Sequence, residues 1–102
     1  MTALKKRAQA HETRFAIDQE ILFKAEARRN ALIGLWAADA LRHPERETYA
    51  RDMVEAGVEH PEAVIEKLRA DFDAAGVICL EDEIRARMVA MLREIADDMH
   101  RR

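Results

Sequence analysis

The sequence contains no serine, and its few threonines stand at positions 2, 13 and 48. Hydroxyl nucleophiles are therefore scarce, which argues against catalysis by serine or threonine. The single cysteine, Cys79, excludes an intramolecular disulfide and a cysteine-based metal cluster. The four histidines form no HxxxH or HExxH pair, and none of the three isolated glycines begins a phosphate-binding loop. These absences predict a protein that is not an enzyme and holds no metal or cofactor.

Residues that interrupt helices are also scarce, with three glycines and two prolines in 102 residues. Alanine, glutamate, leucine and arginine, all good helix formers, are abundant, and the alternating β-branched runs of strands are missing. The length fits one domain. No apolar run approaches the roughly 20 residues that cross a bilayer, and the N-terminus lacks an apolar signal-peptide core. We therefore expect an all-α, cytoplasmic protein without membrane insertion.

Four segments have the apolar spacing of amphipathic helices, which predicts a small four-helix bundle. The predicted helices lie at about 18–41, 44–56, 61–75 and 81–100. Pro44 and Pro61 suit first helical turns, and Gly57 and Gly76 suit left-handed helix ends. The expected core face of the first helix comprises Ile21, Leu22, Ala25, Leu32, Leu35, Trp36 and Ala40. In the last helix, Glu81 with Arg85 and Glu83 with Arg87 have the spacing of i,i+4 ion pairs.

Residues 1–17 differ from this predicted domain of residues 18–102. Residues 1–14 carry a net charge of +3, and the rest of the chain carries −6. Leu4, Ala8, His11 and Phe15 fall on one helical face, but only two of them are strongly apolar. That is too little to hold the segment against a core, because ordering each residue costs roughly 1–2 kcal/mol of backbone entropy. We expect a flexible N-terminal arm (residues 1–17) that becomes helical on a partner.

The stretch FKAEARRNALIGLWAA, residues 23–38, interrupts an apolar face with Arg28, Arg29 and Asn30 and includes Gly34. Surface ion pairs would explain the arginines, and the close approach of another helix would explain the glycine. Trp36, at helical spacing, is expected in the core. On the residues alone, a structural role for the stretch is favoured over a binding site.

Residues 14–41 resemble the signature of the zeta subunit family of alphaproteobacterial F-type ATP synthases, and LRADFDAAGV and IRARM further on are also similar to it. The signature residues that this chain carries include Phe23, Lys24, Glu26, Arg28, Arg29, Asn30, Gly34 and Trp36. The resemblance implies a four-helix fold with a flexible N-terminal arm. It also implies a peripheral inhibitor of ATP hydrolysis, with the alpha, beta and gamma subunits of the catalytic head as partners. In this family the arm enters the alpha/beta interface beside gamma and blocks rotation in the hydrolysis direction.

By this resemblance, the inhibitory arm of the chain binds the partner through seven residues. They are Leu4, Lys5, Lys6, Arg7, His11, Arg14 and Phe15. The arm departs from the family pattern, with His11 in place of a phenylalanine and a Lys-Arg-Ala run in place of one resembling Asp-Arg-Glu. This departure puts the inhibitory potency in question.

The sequence suggests two alternative functions, of which the second has the weaker support. The chain could be a non-inhibitory helical interaction or regulatory domain that keeps the family fold. Nucleic-acid binding through residues 5–7 is not expected, because the basic cluster has only three residues, no interleaved aromatics and an acidic body behind it.

Overall fold

Four helices make up the protein in the computed structural model, which describes the backbone of residues 2–101 and the side chains of residues 19–101. The helices are α1 (Thr2–Leu41), α2 (Arg46–Glu59), α3 (Pro61–Ala74) and α4 (Glu81–Arg101). The all-α, four-helix prediction is confirmed. The side chains of the N-terminal arm lie outside the described residues, and the division of the chain at residue 17 stays a prediction.

The core forms where α1 packs along α2 and α4, and α2 along α3. Its largest fully buried side chains are Ile33, Met53, Val64, Leu68, Phe72 and Ile84. Trp36 of α1 contacts Arg87 of α4, whereas Arg28, two turns earlier, shares a groove with Asp98. The two helices are therefore antiparallel, and the loop before α4 lies at the end of the bundle opposite the first turns of α1.

Pro61 starts α3 as the sequence predicts, and His60 caps it. The Nδ1 atom of His60 accepts a hydrogen bond from the backbone N–H of Glu62 at 3.0 Å, and Pro61 occupies the first helical position. The first N–H groups of a helix have no acceptor within the helix, so the missing N–H of Pro61 costs nothing. The imidazole of His60 accepts the hydrogen bond of another such group, the N–H of Glu62. Glu62 adds a negative charge at the positive end of the helix dipole.

Gly76 ends α3 in the left-handed conformation, with φ of 70°. The N–H of Val77 donates to the carbonyl of Phe72 at 2.9 Å, and the N–H of Gly76 donates to the carbonyl of Asp73 at 3.1 Å. This pair of bonds is the Schellman motif, which satisfies carbonyls that the helix end leaves free. The predicted role of Gly76 is confirmed.

Arg42 ends α1 with the same motif but without a glycine. The N–H of His43 donates to the carbonyl of Ala38 at 2.8 Å, and that of Arg42 donates to the carbonyl of Asp39 at 3.2 Å. Arg42 has φ of 56°, a left-handed conformation that costs a residue with a Cβ roughly 1–2 kcal/mol. The sequence gives no signal for this strained position.

The predicted role of Gly57 as a helix stop is wrong. Helix α2 continues to Glu59, and Gly57 lies within it without a positive φ. The helix also begins at Arg46, so Pro44 precedes it and is not in its first turn. Both ends of α2 therefore lie farther toward the C-terminus than the sequence predicts. His60 serves as both the C-cap of α2 and the N-cap of α3.

The predicted core face of α1 is partly wrong. Its buried hydrophobic residues are Ala25, Ile33, Ala37 and Ala38. Leu22 and Leu32 are exposed, and so is Ala40. The buried face is therefore rotated from the expected one: it consists of Ile33 and three alanines, and the leucines Leu22 and Leu32 lie outside it.

Exposed ion pairs connect α3 with α4. Arg85 donates two hydrogen bonds to the carboxylate of Glu62, at 2.8 and 3.3 Å, and a third to Glu81 at 3.4 Å. Glu81 also accepts from Arg69 at 3.0 Å. Hydrogen bonding from Arg85 holds the pKa of Glu62 below its usual range. The predicted pairs Glu81–Arg85 and Glu83–Arg87 are both present.

We predict that Arg42→Gly raises the free energy of unfolding by about 0.5–1 kcal/mol. Glycine adopts the left-handed conformation without strain, although it also gains entropy in the unfolded chain. Urea unfolding at neutral pH measures the change.

Gly76→Ala is the matched control, because its φ of 70° is the same kind of conformation and no atom stands within 4 Å of an added Cβ. It should destabilise the protein by about 1 kcal/mol. A loss of stability in Arg42→Gly would show that the arginine side chain contributes more than its backbone strain costs.

Candidate functional site

Gly34 allows α1 and α2 to approach each other closely. A Cβ at this position would lie 2.7 Å from the Cα of Ala50 and 3.0 Å from Cγ of Met53. The first of these is a backbone atom, which cannot move without shifting α2. The interpretation of Gly34 as the contact point of a neighbouring helix is confirmed.

Asn30 lies one turn before Gly34 and is the buried polar residue of the described chain, with 5% of its surface exposed. Its side-chain amide lies against Gly57 of α2, where an added Cβ would overlap with Nδ2. Its Oδ1 accepts a hydrogen bond from Nε of Arg29 at 3.1 Å. Gly57 therefore makes room for a buried amide, which explains why a glycine stands inside α2.

Arg28 and Arg29 lie on two different sides of α4. Arg28 is exposed beside a groove of about 390 Å³ whose walls include Leu32, Glu94 and Asp98. Arg29 is half-buried in a groove of about 380 Å³ lined also by Arg85 and other residues of α3 and α4. Burial lowers the pKa of Arg29, and the nearby Glu26 opposes that shift. The adjacent arginines thus have separate surroundings and form no common site.

Trp36 is half-buried against the core, as its spacing predicts. Its ring centroid lies 5.6 Å from that of Phe72. The guanidinium of Arg87 lies 4.5 Å from the tryptophan ring on the outer side, a cation–π arrangement that sequence spacing does not reveal. Trp36 therefore joins α1 to both α3 and α4.

Tyr49 connects α2 to α3 through a contact that the sequence analysis missed. Its hydroxyl donates a hydrogen bond to Oδ2 of Asp71 at 2.7 Å, and Lys67 pairs with the same carboxylate oxygen at 3.3 Å. Burial, followed by the hydrogen bond and the charge of Asp71, raises the pKa of Tyr49. The ring of His43 lies 5.1 Å from that of Tyr49. The sequence indicates the Tyr49–Asp71 contact only by placing a tyrosine among the apolar residues of a helix.

Two signature residues are not used by the bundle. Phe23 is 63% exposed, and Lys24 is exposed and pairs with Glu20 at 3.2 Å. Glu26 is half-buried. The signature thus includes residues that contact other helices, such as Asn30, Gly34 and Trp36, and residues that face solvent where α1 leaves the bundle.

The seven predicted arm residues lie outside the described side chains, so their role as a binding surface stays a prediction. They are Leu4, Lys5, Lys6, Arg7, His11, Arg14 and Phe15. The helix that contains them, α1, is the same helix that carries Asn30 and Gly34 in the bundle.

Chemistry of the described side chains is limited. Burial raises the pKa of the Cys79 thiol, and Glu83 beside it adds to the shift, so the thiol stays protonated and weakly reactive. Among residues 19–101, no three histidine, cysteine, aspartate or glutamate side chains are grouped to hold a metal ion. No helix, over the part that is described, is long and apolar enough to cross a membrane.

Comparison with known protein families gives one match, which covers nearly the whole chain. The profile of a family described as "ATPase inhibitor subunit zeta" matches residues 1–98. No curated protein matches the chain. The matched residues include both the arm and all four helices up to the last turn of α4.

We predict that Gly34→Ala destabilises the protein by about 1–3 kcal/mol, although alanine is the better helix former by about 1 kcal/mol. The added Cβ must displace the backbone of Ala50. Ala90→Gly, at an exposed position of α4, measures the helix-propensity effect alone and should cost about 1 kcal/mol. Thermal unfolding measures the change in stability of both variants. A Gly34→Ala protein that is more stable than the wild type would contradict the close contact.

We predict that Tyr49→Phe costs about 1–2 kcal/mol at pH 7, because Asp71 loses a hydrogen bond. The pKa of Tyr49 is raised in the folded protein, so its stabilising contribution is complete below the unfolded pKa of about 10. It is then lost as the pH rises from there toward the folded pKa. The stability difference between wild type and variant should therefore shrink above pH 10. A difference that stays constant to pH 11 would contradict the raised pKa.

Proposed function

Because the chain belongs to the ATPase inhibitor subunit zeta family, we propose that it inhibits ATP hydrolysis by the catalytic head of an F-type ATP synthase through its N-terminal arm. Membership of this family makes the protein a regulator that binds the F-type ATPase, and not an enzyme. The observation that carries the proposal is the family match over residues 1–98, which includes the arm.

The arm is suited to a groove between protein subunits. Its face of Leu4, His11 and Phe15 lies against the alpha/beta interface, beside gamma, where apolar burial stabilises the complex. The four basic residues of the arm pair with acidic groups along that groove. They are Lys5, Lys6, Arg7 and Arg14. A wedge at this interface blocks rotation of gamma in the hydrolysis direction.

The bundle supplies the rigid base for the arm. From Ala25 onward, one face of α1 is buried against the rest of the fold, and its contact with α2 at Gly34 fixes its axis. Because α1 is a single helix from Thr2 to Leu41, the direction of the arm follows from the direction of α1 in the bundle. A helix held along half its length also loses less entropy when the remaining turns are ordered on a partner.

A second candidate is a non-inhibitory interaction domain that keeps the family fold. The departure of the arm favours it, because a histidine at position 11 buries less apolar surface than a phenylalanine. Both candidates require the same bundle and differ in what the arm does.

We predict that the full chain slows ATP hydrolysis by its cognate synthase and that removal of residues 1–17 abolishes the effect. His11→Phe should lower the half-inhibitory concentration by roughly 10-fold, since the added apolar burial is worth about 1.5 kcal/mol. Steady-state rates of ATP hydrolysis at varied inhibitor concentration give the half-inhibitory concentration of the full chain, of the chain without residues 1–17 and of His11→Phe.

Ile78→Ser serves as the control, because Ile78 is 93% exposed in the loop between α3 and α4, at the opposite end of the bundle. It should inhibit like the wild type. Binding to the synthase without inhibition by either the wild type or His11→Phe would reject the inhibitory arm and favour the interaction domain.

A further inference from the structure

The apolar face of the arm continues into the described part of α1. Phe15 and Leu22 are seven residues apart, and Leu4 and Leu22 are eighteen apart, which is about five complete turns of an α-helix. Because α1 is one helix across this range, its periodicity puts Leu22 on the same side as Leu4 and Phe15. Phe23, the next residue, lies about 100° farther around the helix than Leu22, at the edge of this face. The stripe does not end at the predicted arm boundary of residue 17.

The bundle does not cover this continuation. Leu22 is 39% exposed and Phe23 is 63% exposed, and the first fully buried residue that the structure describes in α1 is Ala25. Among the described aromatic residues, Phe72 and Tyr49 are buried and Trp36 is packed against the core, so Phe23 is the ring left to solvent. The ion pair of Glu20 with Lys24 flanks it. Phenylalanine is enriched at protein interfaces, so an exposed ring of this kind is a candidate contact for a partner protein.

We propose that Leu22 and Phe23 form a further contact with the F-type ATPase, so that the binding surface of the arm extends to the point where α1 enters the bundle. The inference rests on the proposed function of the arm. The occupant follows from continuity, because Leu22 falls on the helical face through which the arm is proposed to enter the synthase, and Phe23 is the next residue, at the edge of that face. The contact fixes how far the arm is inserted, since the bundle begins within one turn of Phe23.

The test uses the full chain and the intact cognate synthase. Leu22→Ala and Phe23→Ala change the proposed contact, and Leu80→Ala is the control. Leu80 is 68% exposed, which matches Phe23, but it precedes α4 at the opposite end of the bundle. Phe15→Ala reports on the arm. All four variants are first compared with the wild type by thermal unfolding, and the exposed positions 22, 23 and 80 should leave the midpoint nearly unchanged.

The equilibrium dissociation constant for the synthase tests the contact, and the hydrolysis rate tests the inhibitory function. Phe23→Ala should weaken binding roughly 10- to 100-fold, with a smaller loss in Leu22→Ala and none in Leu80→Ala. If Phe15→Ala weakens binding and Phe23→Ala does not, the contact is rejected and the arm mechanism stands. If Phe23→Ala weakens binding while the wild type does not inhibit, the contact stands and the inhibitory function is rejected.

A second copy of the chain is the competing occupant of this surface, and sedimentation of the free protein distinguishes it. A wild type that self-associates, with Phe23→Ala monomeric and unchanged in synthase binding, would overturn the inference. A monomeric wild type with weaker binding in Phe23→Ala supports it.

Discussion

The close approach of α1 to α2 is the constraint on which the rest of the fold depends. Gly34 brings the backbone of α1 against Ala50, and Gly57 gives the amide of Asn30 a place inside the same interface. Glycine in a helix costs about 1 kcal/mol relative to alanine, so two of them in facing helices need a compensating contact. That contact sets the axis of α1, and through it the direction in which the helix leaves the bundle toward its N-terminus.

The Arg-Arg-Asn run follows from the same contact. Asn30 is buried at the α1–α2 interface and accepts a hydrogen bond from Arg29, so a half-buried arginine satisfies the buried amide. Arg28, one position earlier, is about 100° around the helix and is exposed toward the end of α4. The run is therefore one structural pair and one surface residue, and its compact appearance in the sequence comes from helix geometry.

The sequence predicts the parts of this fold whose signals are local. Pro61 at the start of α3, Gly76 after its end and the i,i+4 ion pairs of α4 each depend on neighbours within one turn. The core face of α1 could not be predicted in the same way. Side-chain size favours Leu22 and Leu32, whereas the residues that the fold buries include Ile33 and the small Ala37 and Ala38. Arg42 and the Tyr49–Asp71 bond are equally hidden, because both depend on where other helices lie.

The exposed N-terminal part of the signature differs from the part that lies inside the bundle. Asn30, Gly34 and Trp36 have partners inside the fold, so packing alone explains them. Phe23 has no such explanation, since a core residue would not leave most of its ring in water. Helix α1 therefore changes along its length: from Ala25 onward it has a face buried in the bundle, whereas Leu22 and Phe23, just before, are exposed apolar residues. In the proposed complex the bundle sets the direction of the arm, and the position of Phe23 at the junction limits how far the arm can enter the synthase.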